Sequence, residues 1–343
     1  MIDYENSIEI VTVDKQLPWI EKYRPKNINQ IISHSEIIQS LKKFIKKKSL
    51  PHLLFFGPSG SGKTSAIKCC ANEIYGSYMH CMTMELNASN ERGIETVRTK
   101  IKNFVSNRSN IFLPMENRNI FKLVILDEID SMTVEAQGML RQTIEKYSVT
   151  TRFCLICNDI DKINLALQSR CTLFRFAPLI SLEVKTRLVE ICLAEKIKFE
   201  DSAIDAIAKI SKGDMRSAIN TLQHAKQITK KKITLNNVYK MSGHCIPVVV
   251  KEIFDKLMLL SSQKIKLSES VTEITELVVD NNVTIFNLLE ELKNIIIISS
   301  DMENTNKLFI IDNFAKIEVY DSVNVDLSIV IMCISSLFVL INN

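Results

Sequence analysis

The chain has 343 residues, 46% of them hydrophobic and 24% charged, and a net charge of +4. This length and balance describe a globular protein with a real core and two or three domains. So mild a net charge argues neither for nor against nucleic acid, but its distribution is uneven. Residues 243–343 carry 7 Lys+Arg against 14 Asp+Glu, which leaves a net +11 on residues 1–242. A polyanion would therefore meet the first two-thirds of the chain. Nine cysteines are scattered and no hydrophobic N-terminal stretch resembles a signal peptide, so reduced thiols in an intracellular compartment are expected.

Only 8 glycines occur, and three of them stand at Gly57, Gly60 and Gly62. The four-residue apolar run Leu53–Phe56 enters that cluster and reads as a buried parallel strand. Thr64–Tyr75 follows as a helix. Ile94–Val105 reads as a second helix, with Ile94, Val97, Ile101, Phe104 and Val105 on one face and Arg98 and Lys102 side by side at i and i+4. Leu123–Leu126 is a second buried strand that ends at Asp127 and Glu128, and Arg152–Cys157 is a third that ends at Asn158. Strands of this kind separated by helices predict a doubly wound α/β sheet, in which ligands gather at the carboxyl ends of the strands. Polar residues follow the strands at all three places. Cys154 and Cys157 have C-x-x-C spacing but no second ligand pair, so they read as small residues of a buried strand.

After about Pro178 the pattern becomes helical. Leu182–Glu195, Ser202–Lys212 and Arg216–Ile228 are three short amphipathic helices, and the chain beyond Gly243 is mostly helical with acidic faces. Domain boundaries are expected near 178 and 242. The stretch Leu327–Ile341 is apolar apart from three serines, yet shorter than the roughly 20 residues that span a bilayer. It reads as a buried C-terminal helix, with a tail anchor as the alternative, and no membrane partner is expected.

Gly57-Pro58-Ser59-Gly60-Ser61-Gly62-Lys63-Thr64 fits the pattern G-x-x-x-x-G-K-[ST], placed between a strand and a helix. Its glycines let backbone N–H groups turn inward around phosphates. Lys63 supplies a point charge for the β- and γ-phosphates, and Thr64 offers its hydroxyl to Mg²⁺. The helix N-terminus, with Ser65 in its first turn, adds about half a positive charge. Asp127 is the candidate for the metal shell and Glu128 for polarising the attacking water. Asn158 is either a turn former or a partner of the γ-phosphate. Arg170, in Ser169-Arg170-Cys171, and Arg216, in Gly213-Asp214-Met215-Arg216, are either ordinary surface arginines or partners for a phosphate that gains charge in the transition state.

The order of these motifs resembles the small subunits of replication factor C, the sliding-clamp loaders of the AAA+ class. Pro18-Trp19-Ile20-Glu21-Lys22-Tyr23-Arg24-Pro25 is similar to the family's N-terminal box, and Glu85-Leu86-Asn87-Ala88-Ser89-Asn90-Glu91-Arg92-Gly93-Ile94 to a second box. Ser169-Arg170-Cys171 matches its SRC motif and Gly213-Asp214-Met215-Arg216 its second sensor. The resemblance covers about residues 16–225. It implies an AAA+ nucleotide-binding α/β domain over 1–178, a helical lid over 179–242 and an all-α collar over 243–343. It further implies that Ile20, Arg24 and Ile32 line the base and ribose side of ATP, that Asn158 and Arg216 are sensors in cis, and that Arg170 is a finger for a neighbour's ATP. Arg98 and Lys102 would then face primer–template DNA rather than only solvent. Two departures stand out. Asn90 occupies a position where Asp is usual, and Ser59 and Ser61 occupy positions where Pro and Thr are common; little effect is expected of the serines.

The function implied is an ATPase subunit of a hetero-oligomer, a pentamer by resemblance, that opens a sliding clamp and places it on primed DNA. The compartment implied is the nucleus, or the replication site of a host cell if the chain is virus-encoded. Two alternatives remain: another AAA+ DNA remodeller such as a junction helicase, or a scaffold subunit that holds ATP without hydrolysing it. The Trp19–Pro25 box and the SRC motif argue against the first, and the intact Lys63, Glu128 and Asn158 against the second.

Overall fold

Leu53, Leu54 and Phe55 are all fully buried, as a strand covered on both faces requires. In the computed structural model, which describes residues 17–47, 49–89, 94–106, 121–229, 232–261, 266–281, 283–299, 302–321 and 325–341, the run Leu53–Phe56 is strand β1. It joins β2 (Thr83–Asn87), β3 (Lys122–Asp127), β4 (Thr151–Cys157) and β5 (Thr172–Arg175) in one sheet of order β2-β3-β4-β1-β5. Every pairing is parallel, with Phe56 opposite Cys157 on one side and Arg175 on the other, and Asn87 opposite Asp127.

The strands read from sequence are the three interior ones. Thr83–Asn87 and Thr172–Arg175 escaped that reading because they close the two sheet edges. There Thr83, Glu85, Thr172 and Arg175 are partly or fully exposed and interrupt the apolar run that marks a covered strand.

The helices of this part are α1 (Trp19–Lys22), α2 (Ser35–Lys46), α3 (Lys63–Tyr75), α4 (Met79–Met82), α5 (Ile94–Ser106), α6 (Val134–Tyr147), α7 (Leu165–Gln168) and α8 (Ser181–Ala194). Successive strand side chains point to opposite faces, and the core divides accordingly. Leu53, Phe55, Ile125 and Ile156 pack with Leu41 of α2 and Ile67 and Cys70 of α3. Leu54, Val124, Phe153 and Leu155 pack with Ile101 of α5, Leu140 and Ile144 of α6 and Leu167 of α7. Each buried Leu or Phe contributes about 1.5–3 kcal/mol of burial free energy. Cys154 and Cys157 are both buried in β4, one on each face of the sheet.

The chain forms two compact units, one of residues 1–196 with 207–224 and one of residues 197–206 with 225–343. Helices α9 (Asp201–Ile210) and α10 (Met215–Ile228) cross the boundaries of that division. The second unit contains α11 (Leu235–Ser242), α12 (Pro247–Ser261), α13 (Leu267–Asp280), α14 (Ile285–Ile298), α15 (Asn304–Asp321) and α16 (Leu327–Leu340). Its core gathers Leu257, Ile274, Leu292, Ile310 and Ile334, and Phe254 meets Phe338 edge to face at 6.5 Å. The expected C-terminal helix is α16. Asp326 caps it by accepting the Ser328 N–H, and Val330, Ile331, Leu337 and Phe338 are buried in the same core. Among the described residues no helix is long and apolar enough to cross a membrane.

Candidate functional site

β1 ends at Phe56, and the chain turns through Gly57–Gly62 into α3, whose first residue is Lys63. Two of the glycines are required by close approach. Gly57 has φ +140°, and a Cβ on it would lie 1.9 Å from the carbonyl oxygen of Phe176. Gly60 has φ +63°, and a Cβ on it would lie 1.8 Å from Asp214 Oδ1. The loop is tightened from inside, where Ser61 Oγ donates to the Pro58 carbonyl at 2.7 Å.

Lys63 Nζ donates to the carbonyls of Gly57 and Pro58, both at 2.7 Å, and to Asn158 Oδ1 at 3.0 Å. Its side chain is buried, and burial pushes the ammonium below its ordinary pKa. Asp127, Cys157 and Asp130 oppose that shift and the Arg216 charge adds to it. A cation stripped of water and held by neutral acceptors is poised to donate to a phosphate oxygen.

Thr64 Oγ1 donates to Asp127 Oδ2 at 2.8 Å, which brings the first helical hydroxyl and the terminal residue of β3 together. Asp127 Oδ1 accepts the Glu128 N–H at 2.9 Å. Glu128 is exposed and sits at φ +56°, a left-handed conformation that a non-glycine residue adopts at a cost. Asp130 Oδ2 accepts the N–H groups of Asn158, at 3.2 Å, and Asp159, at 3.4 Å, so the turn after β3 fixes the end of β4.

These groups converge. Ile20, Arg24, Ile32, Ser59, Gly60, Ser61, Gly62, Lys63, Thr64, Ser65, Asp127, Glu128, Asn158 and Arg216 all line one cavity of about 250 Å³. Gly57 and Pro58 do not line it; they hold Lys63 through their carbonyls. Arg170 lies elsewhere, in a separate cavity of about 640 Å³ with Lys43, Lys47 and Arg152. Its guanidinium pairs with Glu145 and donates to the Ala166 carbonyl at 2.7 Å. Lys102 is exposed on α5, whereas Asn90 and the side chain of Arg98 lie outside the described residues.

Sequence reasoning missed Tyr23 and Arg187, which also line the first cavity. Arg187 Nη2 donates to the Tyr23 carbonyl at 3.0 Å. Glu195 accepts Lys22 Nζ at 2.5 Å and the Tyr23 hydroxyl at 2.6 Å, and Gln223 Oε1 accepts the Trp19 N–H at 3.0 Å. The Trp19–Pro25 box is thereby docked on α8, its C-cap Glu195 and α10 by hydrogen bonds and one ion pair, Lys22–Glu195. A charged residue on an amphipathic helix gives no sequence signal that its partner lies 173 positions away.

Hard oxygen donors suit a divalent cation such as Mg²⁺, and the Thr64 hydroxyl beside the Asp127 carboxylate is such a pair. Burial of Lys63, the N-terminus of α3 and Arg216 together make the cavity a site for a polyphosphate.

Residues 53–179 match the ATPase family associated with various cellular activities, known as AAA, and residues 186–226 match the RCF1/5-like AAA+ ATPase lid domain. A chain of Acanthamoeba polyphaga mimivirus named as a replication factor C small subunit is 64% identical over 99% of each chain. Replication factor C subunit 3 of Schizosaccharomyces pombe is 41% identical over 89% of this chain and 85% of its own, and human replication factor C subunit 5 is 39% identical over 89% and 86%. A solved Thermotoga maritima RuvB mutant shares the fold, with a TM-score of 0.52 at 16% identity over 78% of this chain and 91% of its own. With the full-length likeness, both family matches and the convergent site agreeing, the chain belongs to the replication factor C small-subunit family of AAA ATPases.

Proposed function

We propose that this chain is an ATP-hydrolysing subunit of a sliding-clamp loader, and that its site works only between subunits. The observation that carries this reading is the separation of Arg170 from the cavity where the predicted lysine, sensor and carboxylate residues Lys63, Asp127, Glu128, Asn158 and Arg216 converge. An arginine that stabilises transition-state charge must reach the γ-phosphate, and Arg170 faces a different cavity. It serves the nucleotide of an adjoining subunit.

Within the site Lys63 holds the β- and γ-phosphates, Asn158 and Arg216 sense the γ-phosphate, and Glu128 orients the attacking water. Thr64 and Asp127 would hold Mg²⁺, which when bound neutralises charge on the phosphate oxygens. Ile20, Arg24 and Ile32 flank the base and ribose. The free energy of binding and turnover goes into conformational change, opening a clamp and then releasing it with primer–template DNA.

The three-part organisation, a nucleotide domain to 178, a lid over 179–242 and a collar over 243–343, belongs to the same proposal. The lid family match over 186–226 supports the first boundary. Exposed Ile297, Ile298, Leu308 and Phe309 on α14 and α15 offer apolar surface for assembly with other subunits of a hetero-pentamer. The net positive charge of residues 1–242 and the exposed Lys102 favour contact with DNA, with Arg98 as its proposed companion. The names of the relatives support a replication site inside a cell as the place of action.

The test is reconstitution with natural partners and a count of subunits by native mass spectrometry, followed by Arg170→Ala in this chain alone. ATP binding by the isolated variant should match wild type, while turnover in the assembled complex drops at least about 10³-fold at the one neighbouring site. Unchanged turnover in a correctly assembled complex would overturn the assignment of Arg170 in trans.

A further inference from the structure

Asp214 uses its two carboxylate oxygens on two different elements. Oδ1 accepts the N–H groups of Arg216 at 2.8 Å and Ser217 at 3.0 Å, first-turn donors that have no acceptor within α10 itself. Oδ2 accepts the hydroxyl of Ser59, at the tip of the phosphate loop, at 2.9 Å. Beside this contact the Met215 N–H approaches the Gly60 carbonyl at 3.4 Å.

The junction has no slack. Gly60 has φ +63°, and a Cβ on it would displace Asp214 Oδ1, 1.8 Å away, and crowd the Asp214 Cα at 3.1 Å. On the other side Gly213 has φ +85°, a Cβ on it would lie 2.7 Å from the Leu179 carbonyl oxygen, and its own carbonyl accepts the Leu179 N–H at 3.2 Å. The start of α10 is thus wedged between the phosphate loop and the segment leading into α8.

We propose that Ser59 and Asp214 form a latch through which the phosphate loop sets the position of Arg216, so that both are positioning residues for ATP use. The inference rests on the reading of Arg216 as a group that acts on the nucleotide. Capping α10 needs only Oδ1. The bond from Oδ2 to Ser59 adds nothing to the cap, but it ties the cap to the loop whose N–H groups surround the phosphates. The backbone N–H that Asp214 fixes is that of Arg216 itself, so a shift of Ser59 or Gly60 on filling of the loop reaches the guanidinium through one residue. Proline, common at this position in the family, has no hydroxyl to donate. The latch would give Ser59 a larger effect than the little expected of it from sequence.

The experiment titrates the full-length chain with a fluorescent ATP analogue and its ADP counterpart. Ser59→Ala should weaken the ATP analogue about 3–10-fold, the size of one ordinary hydrogen bond, and leave the ADP analogue within about twofold. Ser59→Thr, which keeps the hydroxyl, should restore wild-type binding. In an Arg216→Ala background, Ser59→Ala should add less than twofold, because the residue through which it acts is gone. Melting temperatures of the Ser59 variants should match wild type, since the cap on Oδ1 survives. Wild-type ATP affinity in Ser59→Ala, equal weakening of ATP and ADP, or effects of Ser59→Ala and Arg216→Ala that multiply independently would each overturn the latch. Lys63→Ala in the same titration separates the two readings. Binding that does not depend on Lys63 would overturn the site itself, whereas failure of the latch with Lys63-dependent binding leaves the site standing.

Discussion

Lys63 Nζ donates to Asn158 Oδ1 at 3.0 Å, a bond between the first residue of α3 and the residue that follows β4. Sheet register makes this bond possible. Phe56 and Cys157 are paired at the ends of two neighbouring parallel strands, so the residues that follow them emerge side by side at the carboxyl edge. The lysine and the amide, 95 residues apart, need no loop rearrangement to meet. A phosphate entering the site competes for an ammonium that already has three neutral acceptors.

Replacing Lys63 by Met tests what that ammonium costs. The cation is buried and its pKa is lowered chiefly by desolvation, so the empty fold holds it at a penalty. Lys63→Met keeps the volume and removes the charge. ATP turnover in the assembled complex should fall at least about 100-fold. The nucleotide-free protein should melt no lower than wild type, and calorimetry without nucleotide checks this sign.

Glu128, the proposed water-orienting residue, sits on a strained backbone. Its φ of +56° is a conformation that glycine adopts freely. Glu128→Gly should therefore stabilise the empty protein by about 0.5–1 kcal/mol, read as a higher urea midpoint. Glu128→Gln keeps the strain and the shape. It should slow hydrolysis about 100-fold or more while ATP binding persists. Equal turnover of Glu128→Gln and wild type in the assembled complex would remove Glu128 from the role of water-orienting base.

The cis half of the site was legible because it is local. Gly57–Thr64, Asp127, Glu128 and Asn158 all stand within a few residues of a buried apolar strand, where the sequence pattern is strongest. Ile20, Arg24, Ile32 and Arg216, which line the cavity, became legible only through motif resemblance, since their spacing alone fits any surface, and Arg170 lies apart from them with a role that stays a proposal. What stayed hidden depends on long-range meeting. Edge strands β2 and β5 carry exposed polar residues. Glu195 receives Lys22 and Tyr23 from the other end of the unit, and Asp214 receives Ser59 across 155 positions. No periodicity or short motif encodes such contacts.

Gly57 offers a prediction about the loop's backbone. A Cβ there would meet the Phe176 carbonyl oxygen at 1.9 Å, and φ is +140°. Neither atom belongs to a flexible side-chain end, because both are fixed by strand ends paired in the sheet. Gly57→Ala should destabilise the protein by about 2–4 kcal/mol and lower ATP affinity at the same time. Gly138, whose Cβ would meet nothing within 4 Å on α6, is the control. Gly138→Ala should be neutral or stabilising by up to about 1 kcal/mol through helix propensity.

His52 makes stability depend on pH in a predictable direction. Its Nδ1 accepts the Phe153 N–H at 3.2 Å, so the ring is held neutral at that atom. Burial, and then the Arg152 charge, lower its pKa from 6.5 to about 4. The same cavity holds Lys43, Lys47 and Arg170, and further positive charge works in the same direction. Above pH 6.5 neither the folded nor the unfolded chain protonates this residue, and it contributes nothing to the pH dependence. As pH falls from 6.5 to about 4, the unfolded chain takes a proton that the folded one refuses, so stability is lost across that window and levels off below it. The loss from this residue is about 1–3 kcal/mol once solvent screening at a partly exposed site is allowed for. His52→Asn keeps an acceptor near the Nδ1 position and cannot titrate. The difference in urea midpoint between variant and wild type should be small at pH 7.5 and should grow in favour of the variant at pH 5. A difference that does not change with pH would show that the ring is free to protonate in the folded state.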